Sequence, residues 1–171
     1  MKLTRRERRA QEAELRKSLG DIDPRQGDLM VVGKRIASAF FKADGQIPPM
    51  FLVEKSDGDR RMIITPWTCR EEKYATYAKL REMFRDSAVV RCAHLAEVWA
   101  CTPGDFRPSE APDRREIVMV HVSDKNGGEF VASAPIERDA DGAQLGDWED
   151  ATSVTQFLQV ALFDPPSVAN N

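Results

Sequence analysis

The side chains best suited to chemistry cluster between positions 97 and 116. A β-rich segment there contains Glu97 and Trp99, and because side chains alternate along a strand, these two share one face with apolar neighbours. A carboxylate in such a row needs a cationic or hydrogen-bonding partner. The candidate binding residues on this strand and on the loop after it are Glu97, Trp99, Ser109, Asp113, Arg114, Arg115 and Glu116.

The loop after this strand has two interpretations. It is about 15 residues long, which is more than a hairpin usually needs, and two prolines stiffen it. It is therefore either a binding or catalytic loop, or one end of an ion-paired brace in which Arg114 or Arg115 neutralises Glu97. We favour the brace, because ion-pair networks also engage carboxylates in purely structural settings.

A metal site has weak support in the sequence. Cys92 and His94 share the second face of the same strand, and with His121 they are the best ligand set in the chain. No CxxC or HExxH spacing accompanies them. We interpret them as a buried thiol and satisfied sheet histidines.

Nucleophilic and nuclease chemistry are supported no better. Cys69 lies in the first turn of a predicted helix, where the dipole favours a thiolate, but no spacing brings a histidine to it. Asp113 followed by Glu116 resembles a magnesium-binding pair, yet the Glu-x-Lys that should follow on a strand is missing. No catalytic residue, metal or cofactor is therefore expected.

A basic N-terminal arm is the second candidate site. Residues 1–17 have a net charge of +4, although the whole chain has −3. A solvated helix is the favoured interpretation of this arm, and a nucleic-acid contact through phosphates is the alternative. The arm has no aromatic residue for base stacking. The candidate nucleic-acid residues are Arg5, Arg6, Arg8 and Arg9.

The elements that must position these residues predict one α+β domain. We expect a charged helical arm over 1–20, a single domain over 21–165 and a loose tail over 166–171. Asp23-Pro24 opens a helix that stops at Gly45, and an acidic loop over 139–150 precedes a last helix. The predicted strands are Met50–Lys55, Arg60–Thr65, Val89–Cys101, Ile117–Ser123 and Phe130–Glu137, and the other predicted helices span about 5–18, 69–86 and 154–162.

This order predicts a five-stranded antiparallel sheet covered by helices, with a β-β-α-β-β-β core. Turns at Asp57-Gly58 and at Asn126-Gly127 indicate antiparallel pairing. The element order resembles roadblock-like members of the profilin-like superfold, which implies a strand order of 2-1-5-4-3. The resemblance favours an interaction scaffold and implies no site.

A second resemblance covers roughly residues 47–140. It rests on Ala96-Glu97-Val98-Trp99, on Pro108-Ser109 and on Pro112-Asp113-Arg114-Arg115-Glu116, together with Pro66-Trp67 and Glu72-Lys73 before them. This pattern resembles a family of uncharacterised bacterial and phage-associated proteins with no established activity. The resemblance therefore implies that the loop is a family feature and assigns no role to any residue.

Composition restricts the classes of function that remain. The net charge disfavours a nucleic-acid binder that uses its whole surface, and no apolar run approaches the ~18 residues of a membrane span. Three scattered cysteines and a basic start without an apolar segment predict a cytoplasmic protein.

We expect a non-enzymatic protein-interaction or accessory module whose partner is another protein or a second copy of the chain. The alternatives are a small enzyme or ligand-binding protein with its site at Glu97–Glu116, and a nucleic-acid accessory protein that uses the arm.

Overall fold

The computed structural model describes the chain in segments. They are Lys17, Leu19, Ile22, Asp23, residues 27–65, Trp67, residues 69–86, 88–102, 109–140 and 142–151, and Leu162 with Phe163. Most of the predicted arm helix over 5–18, nearly all of the predicted helix over 154–162 and the tail over 166–171 lie outside the described residues.

Helix α1, Leu29–Asp44, begins at a capping aspartate and ends at a left-handed glycine. Asp28 Oδ1 accepts the Met30 N–H at 2.9 Å and so satisfies one of the free donors of the first turn. At the other end, Gly45 adopts φ 66° and donates its N–H to a carbonyl of the last turn. The predicted stop at Gly45 is confirmed.

The predicted start of this helix at Asp23-Pro24 is wrong. Gly27 has φ 90°, a conformation that other residues rarely adopt, and it separates Asp23 from the helix. Asp28 is therefore the residue that caps the first turn. Aspartate is a preferred capping residue, so the sequence alone allows either Asp23 or Asp28 to cap the helix. The positive φ of Gly27 excludes Asp23, because it interrupts the helical conformation between that residue and Leu29.

One antiparallel sheet of seven strands forms the centre of the described structure. The strands are β1 Met50–Lys55, β2 Arg60–Ile64, β3 Val89–Ala100, β4 Arg115–Asp124, β5 Glu129–Asp139, β6 Gly142–Leu145 and β7 Glu149–Ala151. Their order in the sheet is β2-β1-β3-β4-β5-β6, and β7 also pairs with β5. Helix α2, Arg70–Asp86, connects β2 to β3.

The α+β class and the five predicted strands are confirmed, but the strand count and the roadblock-like order are wrong. The predicted acidic loop over 139–150 contains β6 and β7, which pair with the two halves of β5. The five expected strands follow the order 2-1-3-4-5, because β3 pairs directly with β1 and places Phe51 opposite His94. Residues 146–148 separate the two short strands β6 and β7, and acidic residues surround them, as is typical of sheet edges that resist pairing with other chains. The segment therefore shows no clear alternation of polar and apolar residues.

The two faces of the sheet carry separate apolar clusters. Helix α1 packs Leu29, Val32 and Ile36 against β3 and β4, with Leu95 and Val120 on the sheet side. It lies so close to the sheet that a Cβ on Gly33 would stand 2.8 Å from Val120 Cγ1. Helix and sheet therefore pack closely at a residue that has no side chain.

Helix α2 covers part of the second face with a short apolar stripe. Tyr77, Leu80 and Phe84 contact a cluster that contains Phe51 and Cys92. The predicted alternation along β3 is confirmed, because Cys92 belongs to this cluster whereas Ala93 and Leu95 belong to the first. No helix among the described residues has the length and apolar character that a membrane span requires.

Candidate functional site

Glu97 is held by two groups that come from different parts of the fold. Its Oε1 accepts the backbone N–H of Ile47 at 2.7 Å, in the segment between α1 and β1. Its Oε2 lies 3.8 Å from Arg138 Nη2 on β5. Both carboxylate oxygens therefore have a partner inside the fold.

Arg138 joins three strands through a second carboxylate. Its Nε lies 2.5 Å from Glu116 Oε2 on β4, while its Nη2 contacts Glu97 on β3. Glu116 stands opposite Trp99 in the register of β3 and β4. We call Glu97, Glu116 and Arg138 the carboxylate cluster.

The predicted brace exists in outline, but its predicted cation is wrong. The guanidinium is that of Arg138, from a strand two places away in the sheet, and not that of Arg114 or Arg115. Arg138 is the single basic residue of the acidic segment 137–150, which is the one signal in the sequence that marks it. To predict its contact with Glu97, one must also know that β5 lies beside β4 and β4 beside β3.

Burial and pairing act in opposite directions on Glu97. Removal from water raises the pKa of its carboxyl, and the nearby Glu116 raises it further. The Ile47 N–H and the Arg138 guanidinium lower the pKa and offset part of this effect. For Arg138, the hydrogen bond to Glu116 raises the pKa of the guanidinium.

Trp99 and Arg114 form a second arrangement beside the carboxylate cluster. The Arg114 Cζ lies 5.2 Å from the centroid of the Trp99 ring, and Trp99 remains 38% exposed. The same guanidinium donates to the backbone carbonyl of Ser109 at 2.8 Å. We call Trp99 and Arg114 the Trp–Arg stack; it lies at the end of the β3–β4 pair where the long loop joins the strands.

The other candidate residues of the loop have structural contacts. Asp113 Oδ2 accepts the Thr102 N–H at 2.9 Å, and hydrogen bonding to the side chain and the backbone of Thr102 lowers the pKa of the carboxyl. Ser109 contributes its carbonyl rather than its hydroxyl to the contact with Arg114. Arg115 is exposed opposite Ala100. The structure thus brings Glu97 and Glu116 together through Arg138, and it brings Trp99 and Ser109 together through Arg114. Asp113 and Arg115 belong to neither group.

The second face of β3 holds His94, a buried polar group. His94 is 2% exposed, stacks on Phe51 with the ring centroids 4.5 Å apart, and has no hydrogen-bond partner among the described residues at either ring nitrogen. The hydroxyl of Tyr77, on α2, is likewise buried and has no partner in the described part of the chain. The interpretation of His94 as a satisfied histidine is therefore wrong, and burial lowers its pKa to about 3.

The described residues hold no metal-binding group of three or more His, Cys, Asp or Glu side chains. His121 lies directly opposite His94, and Cys92 is the buried thiol that the sequence predicts, with its pKa raised by burial.

The arginines of the N-terminal arm, Arg5, Arg6, Arg8 and Arg9, lie outside the described residues. Leu19 is described, and its side chain is buried in the cluster around α1. Its carbonyl accepts the Ile22 N–H at 3.0 Å. The described end of this segment therefore contacts the core.

Comparison of the chain with protein-family models, with curated proteins and with solved structures gave no match.

Proposed function

We propose that the chain is a non-enzymatic protein-interaction module that binds a partner protein through the Trp–Arg stack. The observation that carries this proposal is the exposed indole of Trp99, fixed under the guanidinium of Arg114. Tryptophan and arginine are the residue types that most often dominate the energy of protein interfaces. An aromatic ring that is already held in place loses little conformational entropy when a partner covers it.

The geometry of the carboxylate cluster favours a structural role over catalysis. A general acid or base needs an oxygen that can reach a substrate, whereas both oxygens of Glu97 contact groups of the fold. Glu97 also anchors the segment before β1 through the Ile47 N–H. The cluster thus fixes the strand that presents Trp99, and this argument favours the interaction module over the enzyme alternative.

The partner is expected to be a protein, and a second copy of the chain is one such partner. A reducing cytoplasmic setting belongs to the same proposal and is supported by the free cysteines, Cys69, Cys92 and Cys101. The nucleic-acid alternative depends on the basic arm alone. Binding of a duplex that weakens with salt and disappears on deletion of residues 1–20 would favour that alternative.

The experiment is a quantitative capture by the immobilised full chain from a lysate of its source cells. Trp99→Ala and Arg114→Ala should each reduce the captured partner by about tenfold or more, as expected for central interface residues. Phe130→Ala is the matched control, because Phe130 is also an exposed aromatic residue but lies at the far end of β4 and β5. Capture that is unchanged in both variants, or equally reduced by the control, would overturn the proposal.

A further inference from the structure

A cleft of about 500 Å³ lies between the C-terminal half of α1 and the edge strand β6. Its size falls within the usual range for small-molecule sites, about 300 to 1,000 Å³. Phe41, Leu145 and Trp148 supply its apolar surface. None of the residues of the carboxylate cluster or of the Trp–Arg stack lines it, so this site is independent of the proposed interaction surface.

The fold holds the shape of this cleft. The indole Nε1 of Trp148 donates to Ser38 Oγ at 3.0 Å and ties the segment after β6 to α1. A Cβ on Gly146 would stand 2.7 Å from Pro135 Cγ, so the absence of a side chain at this position lets the segment before Trp148 pack closely on β5. The cleft is therefore built by tertiary contacts and not by one mobile side chain.

Two opposite charges face the cleft from different walls. Lys42 lies in the last turn of α1, and Asp147 lies in the segment after β6. Neither has an ion-pair partner within the part of the chain that the structure describes, whereas Lys34 of the same helix is paired with Asp150 of β7 at 2.8 Å. The helix is thus attached to this edge by the Lys34–Asp150 pair and by the Trp148–Ser38 hydrogen bond, while the charges at the cleft remain available.

We propose that this cleft binds a free α-amino acid with an apolar side chain. The ligand's carboxylate contacts the Lys42 ammonium, its ammonium contacts the Asp147 carboxylate, and its side chain packs on Phe41, Leu145 and Trp148. Charge-assisted hydrogen bonds at both ends fix the orientation, and the apolar surface supplies the driving force. A ligand that carries only one of the two charges leaves either Lys42 or Asp147 without a partner.

The test is calorimetric titration of the purified full chain with L-phenylalanine. N-acetyl-L-phenylalanine lacks the ammonium, and L-phenylalanine amide lacks the carboxylate. We expect L-phenylalanine to bind, each derivative to bind at least about tenfold more weakly, and Lys42→Gln and Asp147→Asn each to cause a similar loss. Lys79→Gln, at an exposed position of α2, is the matched control and should leave the affinity unchanged.

Four results would overturn the proposal. The first is no heat of binding up to about 10 mM L-phenylalanine. The second is an affinity for the N-acetyl derivative equal to that for L-phenylalanine, which would indicate that the cleft recognises a peptide C-terminus. The third is an affinity for the amide equal to that for L-phenylalanine, which would indicate that the cleft recognises a peptide N-terminus. The fourth is an affinity that Lys42→Gln and Asp147→Asn leave unchanged. Thermal melting of both variants verifies that they fold, and their positions at the surface make folding the expected result.

Discussion

At the scale of single residues, Glu97 shows how a partly buried carboxylate can stabilise a fold although its surroundings disfavour its charged state. Its hydrogen bond with Ile47 orders the chain before β1, yet burial is the largest influence on its pKa and raises it. The folded state therefore binds the proton of this carboxyl more tightly than the unfolded state does. The associated stability is fully present below the ordinary glutamate pKa and is lost as the pH rises through the raised value.

Glu97→Gln should remove this part of the pH dependence. The glutamine amide oxygen still accepts the Ile47 N–H, but the side chain no longer titrates. We expect the free energy of unfolding of the variant to fall less than that of the wild type as the pH rises from about 4 to about 8. Urea denaturation across this range measures the effect, and Glu149→Gln on the edge strand controls for loss of a surface charge. Identical pH slopes for wild type and Glu97→Gln would contradict the role of burial.

The buried hydroxyl of Tyr77 leads to a second prediction at this scale. A buried polar atom without a partner costs about 1 to 3 kcal/mol, and the Tyr77 hydroxyl has no hydrogen-bond partner among the residues that the structure describes. Tyr77→Phe should therefore raise the free energy of unfolding by about 1 kcal/mol. Tyr74→Phe is the control, because the Tyr74 hydroxyl is exposed and accepts from Arg70 at 3.1 Å, so its removal should change little. Destabilisation by Tyr77→Phe would show that a hydrogen bond to this hydroxyl exists after all.

At the scale of secondary-structure elements, the approach of α1 to the sheet depends on one missing side chain. Alanine forms helices better than glycine by about 1 kcal/mol, but at position 33 its Cβ would meet Val120, which is fully buried. Overpacking of this kind costs about 1 to 3 kcal/mol. The steric cost is expected to exceed the gain in helix propensity.

Gly33→Ala should therefore lower the free energy of unfolding by about 1 to 2 kcal/mol. Val120→Ala also destabilises, since it removes two buried methyl groups, but the double variant should be more stable than the sum of the two effects predicts. Chemical denaturation of the four proteins in this cycle measures the coupling. Strict additivity would indicate that the helix moves away from the sheet instead of pressing on Val120.

The elements differ in how well local sequence predicts them. The five central strands were predictable because β-branched residues and Asp-Gly or Asn-Gly turns mark them locally. Strands β6 and β7 were not, because they have only four and three residues, they lie in an acidic segment that is typical of a loop, and only their pairing with β5 makes them strands. For the candidate site, alternation on β3 predicted that Glu97 needs a partner, whereas the identity of that partner, Arg138, depends on strand order, which no local pattern encodes.

At the scale of the whole molecule, charged clusters lie at both ends of the apolar layer between α1 and the sheet. At one end, Glu54 pairs with Arg60, and Arg91 lies 3.8 Å from both Glu54 and the capping residue Asp28. The carboxylate cluster occupies the other end. These charged groups have partners within the fold, whereas the exposed ring of Trp99 buries only part of its apolar surface against the fold. This contrast is the reason for assigning binding to the Trp–Arg stack and support to the carboxylates.

The most direct test of this assignment is photo-crosslinking in the source cells from an aromatic photoreactive amino acid, p-benzoyl-L-phenylalanine, which keeps an aromatic ring at position 99 of the full chain. We expect a discrete adduct with a partner protein, and we expect Arg114→Ala in the same chain to reduce its yield by about tenfold. The same photoreactive group at position 130 should give no such adduct. No adduct from position 99, or the same adducts from both positions, would contradict the account.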